Sequence, residues 1–408
     1  MKRVKRWKKW TLLLLGLLLL SQSPFVYRRF QLRALRAKIH ELNSSRTVSQ
    51  DDPYADYKGV VHVHSSLGGH STGGFTEIVE AARRNGLGFV VMTEHPSATI
   101  DTAEMTLKGT QGGVLFINGN EASTAAGDRF LVLPGSSRAR SAGTRATQDF
   151  ITEEKLDGRL TFLAYPQEFR SWEAAEGYNG IEVYNLYTNA RRINPLLMFF
   201  DGLWSYGSYP DLLFTRFYER PTESLKRWDD LNSAKARRLV ALAGNDAHQN
   251  VGIQLGDAGG KKYLGILLDP YSRSFQIVRT HALVEKERVL TTEALLEALA
   301  AGHCYIAFDL LADATGFRFY ARSANATAIM GDSLPLSEGD TRLNVSTPIK
   351  SRIVLFRNGR DVEESPETLS KVFTVKERGV YRVEVYLDAL GPTFRDRPWI
   401  ISNPIYIE

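Results

Sequence analysis

The sequence has one cysteine, Cys304, and no low-complexity tract or internal repeat in its 408 residues. A single cysteine excludes an intramolecular disulfide, so a hydrophobic core must hold the fold together. The residues around Cys304 are mostly apolar, which favours a buried structural thiol over a reactive one. A composition of 43% hydrophobic and 24% charged residues favours packed domains over disorder. The length predicts two folded units.

Acidic residues are absent from the first forty positions, which hold eleven lysines and arginines. The formal net charge of +5 therefore belongs to the N-terminus, because residues 41–408 hold 40 basic and 46 acidic residues. Because the rest of the chain is mildly acidic, it offers little support for nucleic-acid binding through a basic surface. We therefore expect no nucleic-acid partner.

A long hydrophobic run occurs only at the N-terminus. Six basic residues between Lys2 and Lys9 precede an almost continuous apolar run from Trp10 to Leu20. This order is typical of a secretory signal or, when the run is extended to Val26, of a short membrane span. We expect residues 1–27 to be a signal peptide or a membrane anchor, of which the uncleaved anchor is favoured. The leading basic residues place the folded body outside the cytoplasmic membrane.

The segment that follows the apolar run, residues 28–52, is basic and amphipathic in its first half. Leu32, Leu35 and Ile39 alternate with arginines at helical spacing. Such a helix can lie on an anionic membrane surface, so we interpret this segment as a membrane-proximal linker.

From residue 57 onward, short apolar runs alternate with helix-like stretches. The predicted strands are 59–63, 88–93, 113–117, 160–164, 180–184 and 239–243, and helices are predicted at 75–84 and 292–301. Apolar strands alternating with helices indicate a parallel sheet or barrel covered on both faces. Beyond about residue 310, short alternating runs predict an antiparallel β-sandwich. The expected domains are thus 53–309 and 310–408.

Five of the eight histidines follow predicted strands, and two carboxylates follow later strands. The carboxyl ends of parallel strands meet at one edge of a barrel, so these side chains are expected to converge. Imidazole and carboxylate ligands suit zinc, manganese or iron, and a carboxylate can bridge two ions. The candidate metal ligands are His62, His64, His70, His95, Glu121, Asp246 and His248. The histidines outside this pattern, His40, His281 and His303, are interpreted as structural or solvent-facing.

The ordered set of these segments resembles the PHP (polymerase and histidinol phosphatase) superfamily over residues 57–305. The matching stretches are 62–66, 93–95, 119–121, 164–166, 180–185 and 244–248. The C-terminal part, which ends in residues 398–406, resembles the branch that includes carbaryl hydrolase-like (CehA/McbA-type) enzymes. The resemblance implies an α/β fold, a distorted (β/α)7 barrel, with up to three metal ions.

By this resemblance the seven candidates divide into two ligand groups. His62, His64, Glu121 and Asp246 would hold one ion, His70, His95 and His248 would hold another, and Glu121 would bridge them. The chain departs from the family pattern at Glu94, where the family often has aspartate, and at Tyr165, where it usually has histidine. A phenol with a pKa near 10 is a poor ligand. We therefore expect two divalent ions, zinc or manganese with iron as an alternative, and Tyr165 leaves a third ion open.

These residues predict a metal-dependent hydrolase, with a phosphoesterase that uses metal-activated hydroxide as the leading hypothesis. Glu121, Asp246 and Tyr165 are the expected catalytic residues, and Tyr165 is expected to contact the substrate. The substrate is a small molecule or phosphoester, and no obligate protein partner is expected. Hydrolysis of a carbamate, amide or carboxylic ester is one alternative, and a non-catalytic metal-stabilised module is another. Candidate phosphate contacts are Arg138, Arg140, Arg145, Arg191 and Arg192.

Overall fold

The computed structural model describes residues 2–49, 51–69, 71–190, 194–256, 262–337 and 340–408. Three residues predicted to belong to the site, His70, Arg191 and Arg192, lie outside the described residues. The α-helices are α1 (Lys2–Ser44), α2 (Phe75–Arg84), α3 (Thr102–Met105), α4 (Thr147–Leu156), α5 (Leu186–Ala190), α6 (Pro195–Ser205), α7 (Thr222–Ala234), α8 (Tyr271–Ser274) and α9 (Thr292–Ala301). Short 3-10 helices span Ser66–Gly68, Ser137–Thr144, Asp211–Arg216, Asp388–Leu390 and Pro392–Phe394.

The strands fall into two groups along the chain. The first group is β1 (Tyr54–Val63), β2 (Phe89–Met92), β3 (Gly109–Gln111), β4 (Val114–Ile117), β5 (Asn120–Ser123), β6 (Arg129–Leu133), β7 (Leu160–Ala164), β8 (Gly180–Asn185), β9 (Val240–Ala247), β10 (Gly252–Gly256), β11 (Lys262–Leu267), β12 (Arg279–Glu285) and β13 (Cys304–Ala307). The second group is β14 (Arg318–Arg322), β15 (Thr327–Ile329), β16 (Ser333–Leu334), β17 (Arg342–Arg357), β18 (Arg360–Glu364), β19 (Thr368–Thr374), β20 (Gly379–Tyr386), β21 (Ile400–Ser402) and β22 (Ile405–Ile407).

The six strands predicted between residues 59 and 243 are all present, as are the helices predicted at 75–84 and 292–301. These strands were predictable from their apolar residues; in β1, for example, residues 59–63 are buried on both faces, as a strand covered on both sides requires. Val60 packs in one apolar cluster with α2, whereas Val61 packs in another with α9.

Strand pairing leads from β1 through β2, β5, β6, β7, β8 and β9 back to β1, and β10 and β11 form a separate two-stranded sheet. Parallel pairs join β1 to β2 and β9, β2 to β4, β7 to β8 and β8 to β9. Antiparallel pairs join β5 to β6 and β6 to β7, and a bridge between Glu94 and Asn120 links the end of β2 to β5. The protein is thus a mixed α/β fold with a large sheet. The antiparallel β5–β6–β7 stretch departs from a uniform strand–helix alternation, and the (β/α)7 barrel stays a prediction.

The C-terminal strands pair mainly antiparallel and join the same sheet. β17 is the central strand and pairs with β14, β18, β19 and β20. β21 pairs with β13, so hydrogen bonds cross the expected boundary near residue 310. Asn403 adds a second tie, because its side chain hydrogen-bonds the backbone of Ala241 and Cys304. Cys304 is buried, as its surroundings predicted, and burial raises the pKa of its thiol to about 12.

Helix α1 runs without interruption from the basic N-terminus to Ser44. By length and composition it could cross a membrane. Its leucines between positions 12 and 20 are exposed. Leu32 and Leu35, in contrast, are buried in the main hydrophobic core. The apolar side of the expected linker therefore packs partly on the protein body.

Candidate metal centre

His62 and His64 end strand β1, but they do not follow regular strand alternation. The pairing of β1 with β2 and with β9 shifts register between residues 60 and 63, and His62 adopts a φ of 68°. A β-bulge of this kind re-aims side chains at the edge of a sheet. As a result, the Nε2 atoms of both histidines lie close to the same carboxylate oxygen, 3.2 and 3.3 Å from Oε2 of Glu121.

Glu121 lies in strand β5, where the β5–β6 hairpin holds it against the end of β1. It is buried, and its Oε2 is also 3.5 Å from Nε2 of His95. One carboxylate oxygen therefore faces three imidazole nitrogens. That arrangement suits a bridging carboxylate.

Asp246 closes the cluster from strand β9. Its Oδ1 lies 3.5 Å from Nε2 of both His62 and His64, and also 3.5 Å from Nδ1 of His248. This oxygen is buried and makes no hydrogen bond among the described residues. The other oxygen, Oδ2, accepts a hydrogen bond of 2.6 Å from the Tyr165 hydroxyl.

The ligand atoms form two groups, in each of which all the atoms lie within 4.8 Å of one another. One group is His62, His64, Glu121 and Asp246, and the other is His64, His95 and His248. The His64 ring stacks on His95 and His248 with centroid distances of 4.8 and 4.5 Å. Six of the seven predicted ligands therefore converge, while His70 lies outside the described residues.

Three of the seven described non-glycine residues with a left-handed backbone belong to this cluster. His62, Tyr165 and Asp246 have φ values of 68°, 49° and 48°. A left-handed conformation in a residue other than glycine costs on the order of 1–3 kcal/mol, and such residues gather at functional sites. The backbone strain at these three neighbouring residues is therefore consistent with a functional site.

Two buried glutamates hold the histidine-bearing segments in place. Oε1 of Glu182 is hydrogen-bonded to Nδ1 of His62 at 2.6 Å, and Asn185 donates to Oε2 of Glu182 at 3.0 Å. Glu94 instead accepts from the backbone and hydroxyl of Ser65 and from Thr106, next to His64. The contact with Glu182 fixes the orientation of the His62 imidazole, as carboxylates behind metal-bound histidines do, whereas Glu94 holds the backbone that follows His64. The sequence interpretation missed the role of Glu182, although an acid inside an otherwise apolar strand is a usable signal.

Among the described residues, Arg129 is an arginine that lies next to the ligand cluster, and it was not predicted from the sequence. Its guanidinium lies 3.5 Å from Oε1 of Glu121 and 4.8 Å from the Tyr165 ring. Three of the five arginines predicted for this role pair with acids outside the cluster, and the other two lie outside the described residues. Their partners are Asp157 for Arg138, Asp101 for Arg140 and Glu153 for Arg145.

Burial and close charges oppose each other across the cluster. Burial alone would raise the pKa of Glu121, but hydrogen bonds with His62 and His64 outweigh it and hold that pKa well below its ordinary value. The pKa of Tyr165 is raised far above 10 by burial and by the neighbouring Asp246 and Glu121 carboxylates. The phenol therefore keeps its proton, in agreement with the hydrogen bond it donates.

The donor set fits divalent cations on chemical grounds. Imidazole nitrogens and carboxylate oxygens are ligands that zinc, manganese and iron accept. An uncompensated buried carboxylate oxygen, such as Oδ1 of Asp246, is costly unless a cation or a hydrogen bond balances it. The cluster therefore has the composition and the burial of a metal centre.

Of the comparisons with known proteins, only the one with solved structures found similar chains. No family model matches the chain, and no curated protein matches it in sequence. A two-domain protein from Bacteroides vulgatus that contains a predicted PHP-like metal-dependent phosphoesterase aligns at 15% identity and a TM-score of 0.39, over 88% of this chain and 98% of its own. PsfC from Pseudomonas syringae aligns at 14% identity and a TM-score of 0.39, over 62% and 91%.

A third solved structure is endonuclease Q in complex with a 27-mer duplex that carries an abasic lesion. It aligns at 14% identity and a TM-score of 0.35, over 60% of this chain and 56% of its own. The absence of a nucleic-acid partner stays a prediction for the present chain. The first of these solved structures is described as containing a domain of the superfamily that the motifs of this chain resemble, and the carbaryl hydrolase-like branch stays a prediction.

Proposed function

We propose that the chain is a PHP-type metal-dependent hydrolase that acts on phosphoesters. The observation that carries the proposal is the convergence of buried imidazole and carboxylate donors from β1, β5 and β9 on one point. A cluster of this kind is costly to bury without cations, and a distorted (β/α)7 barrel would account for its place at the strand ends.

Two divalent ions, zinc or manganese, are proposed for the two ligand groups. His62, His64, Glu121 and Asp246 would hold one, and His64, His95 and His248 surround the place of the other. Such ions, when bound, lower the pKa of water and neutralise charge on a phosphoryl oxygen. The hydroxyl of Tyr165 keeps its proton and donates it in a hydrogen bond to Asp246, so Tyr165 is not proposed as a metal ligand.

The protein's own cation at the centre is Arg129, which lies beside Glu121 and is partly exposed. A guanidinium in that position can donate to non-bridging oxygens of a phosphoryl group and hold it against the ligand cluster. This favours a phosphoester over a neutral carbamate or carboxylic ester, because anionic phosphoryl oxygens accept stronger hydrogen bonds from a guanidinium than neutral carbonyl oxygens do.

The N-terminal helix is proposed to anchor the protein, with the catalytic body outside the cytoplasmic membrane. Its exposed leucines support this proposal, and so does the packing of Leu32 and Leu35 on the body, which makes the helix part of the fold. Residues 310–408 are proposed as a β-sandwich that supports the barrel. The intact mass of the purified chain tests whether the anchor is retained. We expect the mass of the full sequence.

The full chain in detergent, assayed on a panel, tests the hydrolase proposal. The panel is p-nitrophenyl phosphate, bis(p-nitrophenyl) phosphate, p-nitrophenyl acetate and 1-naphthyl methylcarbamate. We expect phosphoester turnover that a chelator abolishes and that zinc or manganese restores. Arg129→Ala should lower the phosphoester rate at least tenfold, and Arg138→Ala, whose guanidinium binds Asp157, serves as the control. Faster turnover of the carbamate or acetate would favour the alternative, and a metal-loaded chain inactive on all four would favour a non-catalytic module.

A further inference from the structure

Helix α6 exposes an apolar face. Leu196, Phe199 and Leu203 recur at helical spacing and are 62%, 57% and 67% exposed, whereas Asp201 on the opposite side is buried. Leu197 and Trp204 are exposed beside them. These five apolar residues, here called the α6 patch, are more than the scattered apolar side chains of an ordinary surface. A contiguous patch of this kind marks a binding surface.

The α6 patch lies beside the end of the apolar run of α1. The rings of Phe25 and Phe200 are 5.3 Å apart, and Trp204 donates a hydrogen bond of 3.1 Å to Gln22. Arg29 donates to Ser208 at 2.9 Å, just beyond the end of α6. These contacts begin two residues after Leu20, and at 1.5 Å per residue they extend to about 14 Å from it. If α1 spans a bilayer up to Val26, α6 therefore lies against the last turns of the span, where the bilayer surface begins.

Charge around the two helices favours lipid over a protein partner. The exposed apolar run of α1 ends at Leu20, two residues before the contact of Gln22 with Trp204 of the α6 patch. Exposed Arg33 and Arg36 follow further along α1. Basic side chains next to an apolar surface suit the interface of an anionic membrane. The buried Asp201 pairs with Arg28 and Arg216, which fixes α6 to the body at this level.

An apolar cavity of about 290 Å³ lies between α6 and the metal centre. Met198 of α6 lines one side, Leu213 and Phe214 line another, and Asp246 of the ligand cluster lies in its wall. Tyr187 also lines the cavity, and its ring lies 5.6 Å from the His248 ring. The cavity therefore connects the helix that carries the α6 patch with the residues of the metal centre.

We propose that the α6 patch rests in the bilayer surface beside α1, and that the cavity behind it receives the hydrocarbon part of a lipid phosphoester. This inference rests on the proposed function and names its substrate class. In the reaction, water adds its hydroxyl to phosphorus, the bond from phosphorus to the ester oxygen breaks, and the leaving alcohol takes the proton. The apolar cavity would bind the tail while Arg129 and the ligand cluster face the headgroup.

Lipid contact is tested with the full chain in phosphatidylcholine–phosphatidylglycerol vesicles. Cys304 is buried, so a Phe199→Cys variant offers one accessible thiol for an environment-sensitive fluorophore. A Leu156→Cys variant is the matched control, because Leu156 is 82% exposed on α4. We expect blue-shifted emission that brominated lipid quenches at position 199 and not at 156. Equal emission and quenching at both positions would overturn the contact.

The substrate class is tested by the ratio of two rates, on phosphatidic acid in the same vesicles and on soluble p-nitrophenyl phosphate. A Leu196→Gln/Leu203→Gln variant should lower this ratio at least tenfold, and Leu156→Gln should not; thermal unfolding confirms that each variant folds. An unchanged ratio, or turnover of the soluble ester alone by the native chain, overturns the inference and leaves the proposed function. A native chain inactive on both overturns the proposed function and the substrate class together, and the fluorophore then decides lipid contact alone.

Discussion

Tyr165 stands where the resembled family usually has histidine, and its surroundings explain why the chain tolerates the exchange. Its hydroxyl is buried and donates to Asp246, whose other oxygen faces the imidazoles. A histidine at this place would offer a nitrogen in direct reach of the same cluster. We therefore expect this residue to limit how many ions the cluster can hold.

A Tyr165→His variant is expected to raise the metal content of the purified chain from two ions to three, because imidazole binds zinc where a protonated phenol does not. Tyr165→Phe is the control and should leave two ions, since it removes the hydrogen bond to Asp246 without adding a ligand. Elemental analysis by mass spectrometry measures both. Identical metal content in the two variants would show that position 165 does not limit the number of ions.

His281 illustrates a histidine that the sequence correctly set aside from the metal centre. It is fully buried, with its two ring nitrogens 2.8 Å from Asp56 and 3.2 Å from Asp309, and its ring stacks on Tyr305. Burial alone would lower the pKa of this imidazole, but the two carboxylates outweigh it and raise the pKa to about 9. Arg318, bonded to Asp56, shares the same buried network.

This raised pKa makes stability depend on pH with a definite sign. The folded state binds the His281 proton more tightly than the unfolded state, whose pKa is near 6.5, so its contribution is complete below pH 6.5. It is lost as the pH rises towards 9, and we expect the free energy of unfolding to fall by about 3 kcal/mol from this residue. The free energy of unfolding, measured by chemical denaturation across this pH range, should depend less on pH in a His281→Gln variant than in the native chain. The same pH dependence in both chains would contradict this prediction.

Strands β8 and β9 approach so closely that only glycine fits at position 244. A Cβ there would lie 1.5 Å from Oε1 of Glu182, the oxygen that holds His62. Gly244→Ala is therefore expected to displace Glu182 and to weaken metal binding on the order of ten- to a hundredfold. Gly143→Ala is the control, because its Cβ would meet an ordinary contact at 3.8 Å. Competition with a fluorescent chelator measures both affinities, and equal affinities would argue against the positioning role of Glu182.

Element-level features show what the sequence predicted and what it could not. Apolar runs predicted β1, β2, β4, β7, β8 and β9, because burial on both faces leaves a continuous apolar signal. The β5–β6 hairpin was missed, because Asn120 and Glu121 are polar and the strand is short. Glu121 was thus expected just beyond a strand but lies within one. Tertiary contacts with the imidazoles, which no local pattern records, hold it there.

The candidate ligands were predictable because their residue types are rare and their order along the chain is fixed. The bulge at His62 was not predictable, since regular alternation already placed His62 and His64 on one face. Arg129 was missed for a similar reason, because β6 gives no sign of which way it faces across the hairpin. Convergence from distant strands is a property of the assembled sheet.

The assembled chain joins three parts that the sequence treats separately. Helix α1 packs on the body through Leu32 and Leu35, and β21 pairs with β13 across the expected domain boundary. The metal centre, the cavity behind α6 and the exposed face of α1 are therefore parts of one connected structure. We propose that this arrangement links the metal centre to a membrane surface.

Metal content of the full chain tests the central claim most directly. Purified in detergent and dialysed against trace zinc and manganese, the native chain is expected to carry about two divalent ions per molecule. A His62→Ala/Asp246→Ala variant, shown to be folded by its thermal transition, is expected to lose at least one of them. A folded double variant that keeps the metal content of the native chain would contradict the account.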